Sequence, residues 1–173
     1  MKTKNFLKVS IMTAAICCAL PAWADVSMSD SHFLQKAAQA GNYEIKGSEL
    51  ALKKSKDAEV QNFAKQMVDD HTKAGEEVKA LAAKKNVKVS AEPSFTQKTS
   101  LMLLEKKDGH DFDESYADNV GVDAHKSTVK LFEKAAKSAD DPEIKAFANK
   151  TLPTLNHHLE MAKALDEKVD KKD

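Results

Sequence analysis

Apolar residues recur every three or four positions almost throughout this chain, and the alternating runs that mark strands are absent. The pattern predicts a first helix from about Ser31 to Ser55, capped by Asp30 or Ser31. A second starts after Asp57, a good N-cap, and runs to about Lys85. Asn86 to Pro93 reads as a loop and Ser94 to Lys107 as a shorter helix, broken by Asp108-Gly109-His110. A third long helix is expected from about Asp111 to Ser138. The fourth opens at Asp141-Pro142, with proline at the first helical position, and reaches about Val169. Lys171-Lys172-Asp173 is expected to fray. This is an all-α plan: a four-helix bundle with a short extra helix between the second and third long helices. Whether that connection is short or spans the bundle stays open.

An internal echo supports a bundle made of two hairpins. Asp57-Ala-Glu-Val-Gln-Asn-Phe63-Ala64-Lys returns as Asp141-Pro-Glu-Ile-Lys-Ala-Phe147-Ala148-Asn. In each copy Asp caps, Glu sits by the positive helix end, and the apolar pair opens a core stripe.

Steps of three and four residues trace the seam that each long helix turns to the bundle axis. The first gives Ala37, Gly41, Glu44, Ser48 and Ala51. The second gives Val60, Ala64, Met67, His71, Ala74, Val78 and Leu81. The third gives Asp118, Val122, His125, Val129, Phe132 and Ala136, and the fourth runs from Ile144 through Leu155 and His158 to Val169. Each seam therefore carries one potential metal ligand: Glu44, His71, His125 and His158. At about 1.5 Å per residue, Glu44 lies roughly 18 Å and His71 roughly 22 Å from the turn near Lys56. His125 lies roughly 21 Å and His158 roughly 28 Å from the turn near Ala139, so His158 is expected about one turn off level.

Imidazole and carboxylate groups from separate helices suit iron, manganese, zinc or copper. Asp69, Asp70 and Asp118 are candidate outer partners, and Asp118 is also a candidate ligand. The competing reading is a hydrogen-bonded polar core without metal. A di-iron carboxylate centre is not expected, because Val68 and Leu155 stand where Glu-x-x-His would need glutamates before His71 and His158. His157 is expected on a flank, His32 and His110 in solvent, and Pro153 at a kink. Met67, Met102 and Met161 read as core filler. Gly41, Gly47, Gly75 and Gly121 suggest close helix approach. No Gly-rich phosphate loop or nucleophile motif is present, so no catalytic residue is named.

Composition adds a location. Lys2, Lys4 and Lys8, an apolar run from Val9 to Leu20, and Ala22-Trp23-Ala24 have the form of a cleaved secretory signal over residues 1–24. Residues 25–173 would then be one periplasmic domain, with loose envelope association as a further option. Both cysteines, Cys17 and Cys18, leave with the signal, so core packing alone must stabilise that domain. All 27 basic residues are lysine; 24 remain against 27 carboxylates, a formal net of −3. That balance argues against a nucleic-acid partner. No integral membrane segment is expected in the mature chain, and a monomer or small homo-oligomer is. The heavily charged outer faces argue against a cage-forming assembly.

Several segments resemble one family along nearly the whole mature chain. They are Phe33 to Ala38, Glu44 to Ala51, Val60-x-x-Phe63-Ala64-x-x-Met67-Val68-x-Asp70-His71, the His125 segment, and Thr151-Leu152-Pro153 followed by His158-Leu159-Glu160-Met161-Ala162. The family is a large set of uncharacterised exported bacterial proteins. It is a domain of unknown function grouped with ferritin-like bundles and often labelled outer membrane proteins. The resemblance implies the ferritin-like fold and an envelope setting, and little about activity. The sequence contains no alternating strands for a membrane barrel. Two functions stay open: a metal carrier or weak redox protein, and a structural or stress-protective envelope protein whose polar core only fixes packing.

Overall fold

The computed structural model describes residues 26–172, so the expected signal over residues 1–24 lies outside the described residues. Helix α1 (Met28–Lys54) pairs with α2 (Ala58–Lys84) as a hairpin. The short α3 (Phe95–Glu105) follows. Next comes one long rod: α4 (Gly109–Ser115), a π-helical segment (Tyr116–Asp123) and α5 (Ala124–Ser138). Helix α6 (Pro142–Val169) pairs with that rod and ends in a 3₁₀ turn, Asp170–Lys172, where fraying was expected. No strand occurs among the described residues.

Local chemistry explains the ends. Asp57 accepts from the Glu59 and Val60 amides at 2.8 and 3.2 Å, and Asp141 from the Glu143 and Ile144 amides at 2.9 and 3.1 Å. The sequence echo is thus the same cap used twice. Ser94 and Gln97 form a reciprocal capping box on α3. Asn86, at φ 55°, ends α2: its own amide reaches the Ala83 carbonyl and the Val87 amide reaches Ala82.

The start of α1 corrects the expectation. Ser27 is the cap, accepting from the Asp30 amide at 3.2 Å. Asp30 is buried instead, and its Oδ2 accepts the Asp141 amide at 2.8 Å. That bond ties the start of α1 to the start of α6. At the other end Lys54 pairs with Asp108 at 2.9 Å and Lys168 with Glu59 at 2.5 Å. The α2–α4 connection must therefore run the full length of the bundle, and α3 lies along α1 on the way. Tyr43 meets Ser100 there at 3.1 Å, and Lys46 meets Glu92 at 2.6 Å.

Helix α3 covers α1 with one face only. Leu101 and Leu104 are buried, whereas Phe95, Met102 and Leu103 are exposed. Met102 is therefore not core filler, and this apolar strip departs from the heavily charged outer faces expected. Helix α6 continues through Pro153 without a break. No helix among the described residues is long and apolar enough to cross a membrane.

The core is two apolar clusters rather than one. One, around Phe63, Met67, Tyr116 and Leu165, fills the end near Lys54; the other, around Phe33, Phe132, Ile144 and Phe147, fills the end near Asp141. Between them lies a buried polar layer.

Candidate metal centre

That layer is built from the seams. Glu44 on α1, His71 on α2, His125 on α5 and His158 on α6 are all at most 5% exposed. The imidazole centroids of His71, His125 and His158 are 5.2 to 5.6 Å apart in every pairing. His158 is thus level with the others, against the rise count. The reason is side-chain direction: helical side chains lean toward the N-terminus of their own helix. His158 leans toward the Ala139 turn and His125 away from it, so their heights converge. Glu44 and His71 converge in the same way about the Lys56 turn.

Each imidazole has one nitrogen beside an acceptor. His125 Nδ1 donates to the Gly121 carbonyl at 2.7 Å. His158 Nε2 donates to Asp70 Oδ2 at 3.1 Å. His71 Nδ1 lies 3.2 Å from Glu44 Oε2, close enough for an ion pair but not aligned as a hydrogen bond. Glu44 Oε1 accepts from Thr128 Oγ1 at 3.0 Å and lies 4.0 Å from His125 Nδ1. With His71 Nδ1 protonated toward Glu44, the free lone pairs are those of His71 Nε2, His125 Nε2 and His158 Nδ1. The first two face each other at 3.2 Å, and the third is buried without a hydrogen-bond partner.

Two lone pairs at that distance repel unless a proton or a cation stands between them. Burial opposes the proton. It holds the His71 imidazole below its ordinary range, with Glu44 pulling back and His125 pushing the same way as burial. Burial, reinforced by His71 and His125, pushes His158 down to about 4 even with Asp70 attached. The three histidines each offer a ligand nitrogen within 4.8 Å of the others, so this group could hold a metal ion. Zinc–imidazole bonds of about 2.0–2.1 Å put tetrahedral ligand nitrogens about 3.3 Å apart. The His71–His125 separation already matches.

A profile of one family, described as a domain of unknown function (DUF4142), matches residues 18–165. The chain belongs to the DUF4142 family. The crystal structure of a DUF305 fragment from Deinococcus radiodurans is similar to this member, with a TM-score of 0.73 at 10% identity. The match covers 84% of this chain and 99% of that one and speaks for the fold alone. No curated protein matches the chain.

The remaining expectations divide. Asp70, partly exposed, is the partner of His158, whereas Asp69 is exposed. Asp118 is exposed and is not brought to the cluster. Its assignment came from counting seven residues back from His125, and that count crosses the π segment, where each turn holds more residues. The phase shifts, so Tyr116, Ala117 and Val120 face inward instead. His157 and His32 are exposed and His110 is half-buried.

Of the four glycines, Gly47 and Gly121 do mark close approach. A Cβ at Gly47 would sit 2.8 Å from a Val120 methyl, and one at Gly121 3.3 Å from the Ala162 Cβ. Gly41 and Gly75 do not, since a Cβ at either would meet nothing within 4 Å. They border a cavity of about 30 Å³ that ends on Glu44 and His71. The sequence reading missed Thr128, which holds Glu44, and the Gly121 carbonyl, which holds His125. The first lies one helical turn after His125 on the same face and was findable; a backbone acceptor leaves no mark in the sequence.

Proposed function

We propose that this DUF4142 member is an exported bundle protein that carries one transition-metal ion on His71, His125 and His158. The single observation behind the reading is the buried, unpartnered His158 Nδ1, in a ring whose centroid lies 5.2 Å from that of His71 and 5.6 Å from that of His125. A proton shared by His71 and His125 would explain their contact and still leave His158 Nδ1 orphaned, at the cost that attends any buried unpaired polar atom. A cation gives all three lone pairs a partner. Three imidazoles favour zinc, copper or iron over manganese, which prefers oxygen ligands. Glu44, Asp70 and the Gly121 carbonyl then act as positioning groups that set ring orientation and tautomer.

The alternative, a metal-free packing device, draws support from the His71–His125 distance of 3.2 Å, which suits an N–H···N bond. Metal content decides between them. Protein purified from the periplasm without chelator or affinity tag should carry about one ion per chain by mass spectrometry. His71→Ala, His125→Ala and His158→Ala should each lose it. Trace metal that ignores these substitutions and stays low after metal is added back would sink the metal reading. Intact mass of the same material tests export, since cleavage after Ala24 leaves Asp25 as the first residue.

A further inference from the structure

The histidine layer is closed to solvent, so an ion must pass between packed helices to reach it. A surface hollow of about 160 Å³ lies between α2 and α6, with Asp70, Lys73, Glu77 and Lys150 around it. The inner cavity of about 30 Å³ lies behind it, and the two share Ala74 and Thr151 as a common wall. Thirty cubic ångströms is room for about one water-sized species. That room exists because Gly41 and Gly75 border it without side chains.

Carboxylates stand at both ends of this line. Asp70 is 32% exposed at its side chain, with Oδ2 on His158 inside and Oδ1 3.7 Å from Lys73 outside. Glu44 Oε2 sits buried at the inner end with no hydrogen-bond partner. The lysines at the mouth, Lys73 and the Lys150 that pairs with Glu77 at 2.8 Å, are surface side chains that can swing aside.

Resting on the metal reading above, we infer that a small divalent cation reaches the histidines between α2 and α6, through the shared Ala74–Thr151 wall. The route is lined for the ion itself rather than for an anionic substrate. A buried carboxylate at its inner end repels anions and offers a naked cation its next ligand once water is shed. A larger groove of about 480 Å³, on the α1–α5 side, is the rival route; it adjoins the inner cavity at Thr128 alone, whose hydroxyl donates to Glu44.

Cobalt(II) mixed with metal-free protein in a stopped-flow instrument, followed by its visible absorption, tests the route. Ala74→Leu and Thr151→Ile, both at half-buried wall positions, should each slow uptake by about tenfold or more. The final amount of cobalt bound and the far-UV circular dichroism should match wild type. Ser127→Leu, in the rival groove, should leave the rate unchanged. Wild-type rates in both wall variants, or slowing by Ser127→Leu alone, would overturn the route while leaving the metal site standing. No cobalt uptake by the wild type would instead overturn the metal reading, and the route with it.

Discussion

Acidifying the metal-free protein should unfold it through the histidine layer. His158 is held down to about 4, mainly by burial, and His71 is lowered for the same first reason. In the unfolded chain both return to about 6.5. Below that value the unfolded chain takes up protons that the folded core refuses. The stability these groups confer is therefore complete above about pH 6.5 and is lost as the pH falls toward about 4. For His158 alone the loss amounts to about 2 kcal/mol by pH 5 and about 3 kcal/mol by pH 4. His71 adds to it in the same direction. Against a typical total of about 5–15 kcal/mol this is a large share.

At about 2–4 °C per kcal/mol for a domain of this size, the melting temperature should drop by about 4–8 °C between pH 7 and pH 5. Thermal and urea melts by far-UV circular dichroism in chelator provide the assay, with His158→Leu as comparison. Lysine-paired carboxylates do not confuse the window. Glu143, lowered by Lys84 and Lys85, and Glu92, lowered first by Lys46, withdraw their support only below the ordinary carboxylate range. His158→Leu should flatten the profile between pH 6.5 and 5. A wild-type profile that is flat there, or that runs parallel to the variant, would refute the argument that these imidazoles are buried neutral.

Other substitutions test the packing. Gly47→Ala should cost about 1–3 kcal/mol in urea melts, because its methyl group would press on Val120, whereas Gly75→Ala should stabilise by up to about 1 kcal/mol, since its methyl group meets open space. Equal effects at the two positions would contradict the contacts described. Asp30→Ala should cost about 1–3 kcal/mol, because it strands the Asp141 amide at the start of α6. Hydrogen exchange should show that loss as faster exchange at the Asp141 amide, and unchanged protection there would count against the bond.

The helices were legible because their information is local. Asp57, Ser94 and Asp141 cap where their side chains meet free amides, and most seam positions on α1, α2 and α6 are buried as the period requires, with Gly41, Ala74, Leu81 and Thr151 half-buried. The histidine layer was legible for a related reason. A polar residue at a seam position has nowhere to go but the core, so four such residues on four helices are forced toward one axis. Heights were misjudged only because rise was counted at Cα atoms while chemistry happens at the ends of leaning side chains. The π segment was not legible, since nothing in Tyr116–Asp123 names its hydrogen-bond register. Its register belongs to packing that joins residues far apart in sequence: Val120 against Gly47, Gly121 against Ala162.

On the metal reading proposed above, that same segment also sets the charge of the layer. A regular α-helix through residues 116–123 would turn Asp118 inward on the His125 face. The π register instead turns Asp118 out, brings Gly121 in, and presents the Gly121 carbonyl to His125 Nδ1. A neutral backbone acceptor replaces a carboxylate behind that ring, so the layer holds two carboxylates, Glu44 and Asp70, instead of three. Two carboxylates balance one divalent cation on three neutral imidazoles, whereas in a metal-free core Glu44 has no cation among the three neutral rings and Asp70 has only Lys73, 3.7 Å away at the surface. Replacing both by their amides separates the cases. Glu44→Gln with Asp70→Asn should leave the metal-free fold as stable or more so, yet weaken cobalt binding by about tenfold or more. If the double variant instead bound cobalt as tightly as wild type, the charge balance argued here would be wrong.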